Sequence, residues 1–246
     1  MAADTNSSPT PDSLIDAEKA IQYWNEVPTS LAGIMGGFPQ ISRIDIQSST
    51  NLLTKLGFRR DPKDTPVRGA DCGAGIGRIT KDLLSHFCST VDIIEPVEKF
   101  TNAITSGKDF ASLRGAGKIG DVYNVGLEHW TPKEGAYGLV WNQWCVGHLR
   151  DADLVAYLRR CAAGISAPNG FIIVKENIAS GAEDIFDDQD NSVTRTEAKF
   201  KKLFKEAGLV VVKEEIQRGF PSSLGLFKVK TFALRPESWV AGGGSK

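Results

Sequence analysis

One string constrains this chain more than any other: Asp71-Cys-Gly73-Ala-Gly75-Ile-Gly77-Arg78, set between an apolar run and a helical run. Residues 67–71 read as a strand leading into it, and the residues through His86 read as a helix leaving it. Glycines at this spacing let the main chain turn sharply and let a ligand come close to it. The pattern is GxGxG, which differs from the GxGxxG of pyrophosphate-binding dehydrogenases. A loop of this kind belongs at the end of a buried strand, and that calls for an α/β fold.

The alternation continues downstream. Residues 91–95, 121–125, 137–142 and 170–175 read as further strands, with helical periodicity between them. Asp151 is placed to cap a helix whose Leu154, Val155, Leu158 and Cys161 share one face. Residues 177–192 read as a polar, acidic loop. Thr194-Arg-Thr-Glu197 then reads as a capping box, opening a helix that carries Phe200, Leu203, Phe204 and Ala207 and closes at Gly208. Residues 209–216 and 228–234 are two final strands with no long helix between them, which makes them an antiparallel pair. The sum is a doubly wound, Rossmann-like α/β sheet of seven strands.

Residues 13–62 read as a helical N-terminal extension that caps the substrate side. Its first helix begins near Ser13, which reads as the cap with Asp16 three residues later, and aligns Ala17, Ala20, Ile21 and Trp24 on one face. Residues 33–39 are a loop by their glycines and proline, and 46–56 a second helix. Residues 1–12 read as a disordered tail and 237–246 as a flexible one, leaving a single domain over 13–236. A net charge of -1 argues against a direct nucleic-acid partner. No apolar run is long enough for a membrane span. Cys72, Cys88, Cys145 and Cys161 show no zinc spacing, so no metal is expected, and they read as reduced thiols of a cytosolic or nuclear protein. Nothing demands more than a monomer.

Glu95 ends the second strand, 18 residues after Gly77. A carboxylate there can accept both ribose hydroxyls of a nucleoside. S-adenosylmethionine (SAM) carries adenosine and an amino acid but no phosphate, so its site needs carboxylates and backbone groups more than an anion cradle. On this reading Gly73, Gly75 and Gly77 shape the cofactor loop, and Arg78 pairs with the methionyl carboxylate. The plain alternative is a tight strand–helix turn with a surface arginine.

Further strings are more specific: Tyr23-Trp24, Gly33-Ile-Met-Gly-Gly37, Trp141-Asn-Gln-Trp-Cys-Val-Gly-His-Leu149, Lys175-Glu-Asn177, Asp187-Asp-Gln-Asp190 and Thr231-Phe-Ala-Leu-Arg235. With the glycine loop they resemble the eukaryotic protein α-N-terminal methyltransferases, from about residue 16 to 236. That family methylates the free α-amine of proteins beginning Xaa-Pro-Lys or Xaa-Pro-Arg after removal of Met. The resemblance implies the methyltransferase form of the sheet, SAM as cofactor and N-terminal peptides as partners. It puts Gly73, Arg78, Glu95, Leu127 and Gln143 on cofactor positions. Glu95 stands where animal members can have Asp. Trp24, Trp144, Asn177, Asp187, Asp190 and His148 fall on peptide-binding or catalytic positions.

His148 and Asp190 are then the candidates to accept the amine's proton. Trp24 and Trp144 would wall a channel for the second-position proline. Asn177 would bond a substrate carbonyl, Asp187 would attract the peptide's cations, and Gly36-Gly37 would let its backbone pass. Phe227 stands where some members place a tyrosine. A small-molecule N- or O-methyltransferase on the same fold is the main rival. A non-catalytic SAM-fold subunit would show a decayed loop or a missing acid, and here both are intact.

Overall fold

The computed structural model of the chain describes residues 9–60 and 66–241. A cap of α1 (Ala17–Glu26), α2 (Leu31–Ile34) and α3 (Ser42–Lys55) comes first. There follow β1 (Arg68–Cys72), α4 (Arg78–Asp82), β2 (Thr90–Ile94), α5 (Glu98–Thr105), α6 (Ala111–Gly115), β3 (Ile119–Tyr123), β4 (Leu139–Gln143), α7 (Asp151–Gly164) and β5 (Phe171–Ile178). A hairpin of β6 (Ile185–Asp187) and β7 (Ser192–Thr194) precedes α8 (Glu197–Glu206), β8 (Leu209–Ile216), β9 (Lys228–Pro236) and α9 (Glu237–Ala241).

The main sheet runs β3-β2-β1-β4-β5-β9-β8. Its first five strands are parallel, β9 is antiparallel to β5, and β8 to β9. Side chains alternate along each strand. Ala70, Ile94, Val140, Ile172 and Val174 pack against Leu154 and Leu158 of α7 and Phe200 and Phe204 of α8. Val91, Ile93, Leu139, Trp141 and Ile173 face the other way, against Leu53 of α3, Ile79 of α4 and Ile104 of α5. The strand order reverses between β1 and β4, and a ligand crevice opens at the carboxyl ends of strands at such a point.

Several boundaries differ from the sequence reading. Asp16, not Ser13, caps α1, accepting from the N–H groups of Glu18 and Lys19. Ser13 lies in a short 3-10 turn over Pro11–Leu14. That turn is tied to the domain, because Asp12 accepts from the Asp151 N–H at 3.2 Å. Order thus begins before residue 13, although the first eight residues of the expected 1–12 tail lie outside the described ones. Thr196, not Thr194, caps α8, and Thr194 pairs with Ile185 in the hairpin. That hairpin occupies part of the expected acidic loop. At the other end, α9 continues the fold past residue 236 and packs Trp239 on the core; 242–246 lie outside the described residues.

The cap is joined to the sheet by charge. Ser42, Asp45, Ser49, Leu52 and Leu53 form the buried stripe of α3. Asp45 is fully buried, and its carboxylate meets Arg78 at 2.7 Å, the amide of Gln143 at 2.9 and 3.0 Å, and the ammonium of Lys175. Burial alone would raise the Asp45 pKa, but Lys175 and Arg78 more than offset it and hold the group below its usual value. Removing this carboxylate leaves two buried cations without their partner. Asp45→Ala should therefore cost about 3–5 kcal/mol, read as a lower urea midpoint. Asp45→Asn combined with Lys175→Met should recover part of the loss. An unchanged midpoint in Asp45→Ala would contradict this account of the cap.

Candidate active site

A cleft of about 1030 Å³, open solvent at its mouth included, lies at the carboxyl ends of β1, β2 and β4. Helix α1 covers it with Ala17, Ala20, Ile21 and Trp24. The glycine loop forms one wall through Gly73 and Gly75. A Cβ at Gly73 would lie 2.4 Å from the Cβ of Cys145, so this residue lets the loop press against the turn after β4. Gly77 does not line the cleft. It stands at φ +81 where α4 begins, and a Cβ there would sit 2.6 Å from the Phe110 ring. In this structure it serves the turn and its packing on Phe110.

Glu95 is buried at the cleft. One carboxylate oxygen accepts from Gly75 N at 2.8 Å and the other from Val97 N at 2.9 Å. Burial lifts its pKa to about 7, opposed by those two N–H groups. Arg78 lines the cleft too, but it is not the free side chain the sequence pictures. Its guanidinium is anchored to Asp45 at 2.7 Å and lies over the Trp144 ring. Gln143 is held between Asp45 and the indole N–H of Trp141. Leu127, Val97 and Phe100 add apolar wall.

The other side of the same cleft is aromatic. Trp24 and His148 meet edge to face, and the indole N–H of Trp24 donates to His148 Nε2 at 3.1 Å. His148 Nδ1 faces the carbonyl of Asn191 at 3.4 Å, so the neutral ring carries its proton there. Burial lowers the pKa of His148, partly opposed by the charge of Asp190. Two polar atoms here are buried without a hydrogen-bond partner, Asp190 Oδ1 and Trp144 Nε1. Burial raises the pKa of Tyr23, and the charges of Asp190 and Asp187 add to it.

Of the sequence candidates, Gly73, Gly75, Arg78, Glu95, Leu127, Gln143, Trp24, Trp144 and His148 come together in the cleft. Asp190 adjoins it through His148. Asp187 is exposed on the hairpin, Asn177 is half-buried on β5, and Gly36 and Gly37 form an exposed turn after α2; none of the four lines the cleft. Asp45 and Lys175 were not foreseen as site residues. The signal for Asp45 was present, since it shares a helical face with Ser42, Ser49 and Leu52.

A sheet of this order, with a glycine loop after its first strand and an acid after its second, defines a SAM-dependent methyltransferase. Over residues 12–235 the chain matches the family described as AdoMet dependent proline di-methyltransferase, and it belongs to that family. It is 46% identical over 230 residues to alpha N-terminal protein methyltransferase 1 of Schizosaccharomyces pombe, covering 91% of this chain and 100% of that one. The Drosophila melanogaster protein of that name is 40% identical, with 89% and 76% covered. The N-terminal Xaa-Pro-Lys N-methyltransferase 1-B of Xenopus laevis is 37% identical, with 88% and 94% covered. Among solved structures, a SAM-dependent methyltransferase of Leishmania major superposes with a TM-score of 0.78 at 34% identity, covering 89% of this chain and 82% of that one.

The cleft fits SAM by the chemistry of its donors. Glu95 offers a carboxylate to a diol, Arg78 a cation to a carboxylate, and the glycine loop a main chain that lines the cleft at Gly73 and Gly75. Ribose hydroxyls would donate to the ionised form of Glu95, so binding should pull its pKa down from about 7 and release a proton. Affinity for S-adenosylhomocysteine, measured by calorimetry, should fall as pH drops from 8 to 6, and Glu95→Gln should flatten that slope. Glu95→Ala should lose about 1.5–3 kcal/mol of binding. A wild-type affinity that is flat over this range would remove the ribose assignment.

Proposed function

We propose that this enzyme methylates the free α-amine of proteins whose mature N-terminus reads Xaa-Pro-Lys or Xaa-Pro-Arg. The observation that carries the proposal is the orphaned Asp190 Oδ1 beside His148 at the cleft. Buried acceptors are rarely left unpaired, and this one calls for a ligand that brings N–H groups. An amine supplies them. When bound, SAM supplies a methyl group on a sulfonium, open to attack by a neutral amine. The chain's task is to hold that amine and take its proton.

An α-amine has a pKa of about 7.7–8.0, so roughly a tenth is already neutral at pH 7, against under one part in a thousand for a lysine side chain. The acceptor therefore has a small task, and most of the rate should come from placement. In this reading Asp190 holds the ammonium form. His148, neutral through burial, takes the proton at Nε2 once an amine N–H replaces that of Trp24. The indole faces of Trp24 and Trp144 suit a flat pyrrolidine ring. Asp187, exposed on the hairpin, would meet the basic third residue. Asn177 and the Gly36-Gly37 turn lie outside the cleft wall and would meet the peptide farther along. The frog relative, named for Xaa-Pro-Lys N-termini, supports this substrate class.

Asp190→Asn keeps size and removes charge. On a Ser-Pro-Lys peptide it should lower kcat by about 10²-fold at pH 7, with S-adenosylhomocysteine affinity nearly unchanged. The deficit should shrink as pH rises past the amine's own pKa, toward roughly 9.5, because solvent then supplies the free base. A Ser-Ala-Lys peptide should turn over about tenfold more slowly in the wild type, for lack of the ring. Full activity of Asp190→Asn across that range would sink the assignment.

A further inference from the structure

The turn after β4 is held in an unusual way. Residues 144–149 supply Trp144, Cys145, His148 and Leu149 to the cleft wall. Trp144 stands at φ +54, a conformation that an L side chain adopts only when its surroundings enforce it. The next two N–H groups, of Cys145 and Val146, both donate to one oxygen of Glu176, at 2.8 and 3.0 Å. Arg195 donates to the carbonyls of Val146 and Leu149, and through Nε to Asp151 at 2.9 Å. Arg195 is fully buried and Glu176 nearly so.

Arg195 also directly follows β7, at the foot of the hairpin that carries Asp187 and Asp190. That strand lies against the turn, since a Cβ at Gly147 would meet the Val193 carbonyl at 3.2 Å. Buried charges are costly, and a turn that only reversed the chain would need none. Here the guanidinium of Arg195 donates to the turn and to Asp151 at the start of the next helix.

The geometry points to Glu176 and Arg195 as positioning residues for methyl transfer: they clamp turn 144–149, one by its N–H groups and the other by its carbonyls, and set the distance between His148 and Asp190. The inference rests on the site proposed above. Neither residue touches the cleft, so each acts through the turn. A displacement of about 1 Å in such a site can cost about 10²-fold in rate.

The test uses the full chain. Glu176→Gln keeps an acceptor oxygen for both N–H groups, and Glu176→Ala does not. Arg195→Lys keeps the charge but lacks the planar fork that reaches three acceptors. With Ser-Pro-Lys peptide, kcat should fall by about 10²-fold in Glu176→Ala and Arg195→Lys, while Glu176→Gln restores most of it. The chain has three histidines, so the His148 imidazole resonance can be assigned by substitution. It should shift in both impaired variants while those of His86 and His129 stay in place, which general destabilisation would not produce. Wild-type kcat in folded Glu176→Ala, or a Glu176→Gln as slow as Glu176→Ala, overturns the clamp. If Glu176→Ala does not fold, Arg195→Lys decides: wild-type kcat with an unmoved His148 signal overturns it. A wild type inactive on the peptide would instead defeat the proposed function, and the His148 signal would then decide the clamp alone.

Discussion

One buried carboxylate, that of Asp45, holds the N-terminal cap and the catalytic sheet in register. It belongs to α3, yet its partners come from the start of α4, the end of β4 and the middle of β5. A buried ion cluster is weak evidence for net stability, because desolvation consumes much of the attraction. Its value here lies in geometry. Arg78 and Gln143, both on the cleft, are oriented by the same two oxygens. Lys175 is anchored in turn by Ser49 and by Gln217. The cap therefore orients residues of the cleft wall as well as covering the cleft.

A second constraint follows from the shape of the cleft. Helix α1 closes over the carboxyl ends of the strands, and its last turn is held by Lys99, which donates to the carbonyls of Asn25 and Val27. Trp24 is thereby delivered to His148 from a helix distant in sequence. Polar groups at this end are either tightly paired, as in Glu95, or left open, as in Asp190 and Trp144. The cleft thus pairs a pre-organised carboxylate at Glu95 with one unpartnered acceptor, Asp190 Oδ1, and one unpartnered donor, Trp144 Nε1.

Much of this was legible in the sequence, and the reasons are local. The seven strands show because their apolar residues alternate or run together and because glycine, proline and polar residues bound them. The glycine loop and Glu95 show because spacing alone carries their meaning. Caps were misplaced by two or three residues: Asp16 and Thr196 lie near equally good candidates, and only backbone dihedrals decide between them. The hairpin at β6 and β7 was hidden, since each strand is only three residues long and lies among polar, acidic residues. Gly77 looked like its neighbours until Phe110 was placed beside it. Asp45, Glu176 and Arg195 were unreadable as a set, because their partners lie 30 to 130 residues away along the chain.

The central claim is that the reacting nitrogen is the α-amine. It is tested most directly by locating the methyl group on a peptide that offers both kinds of amine. A Ser-Pro-Lys peptide with a free N-terminus and a free lysine is incubated with isotopically labelled SAM and fragmented in a mass spectrometer. The account expects all label on the N-terminal fragment ions, and none once the N-terminus is acetylated. Label on the lysine side chain, or turnover that survives acetylation, would contradict it.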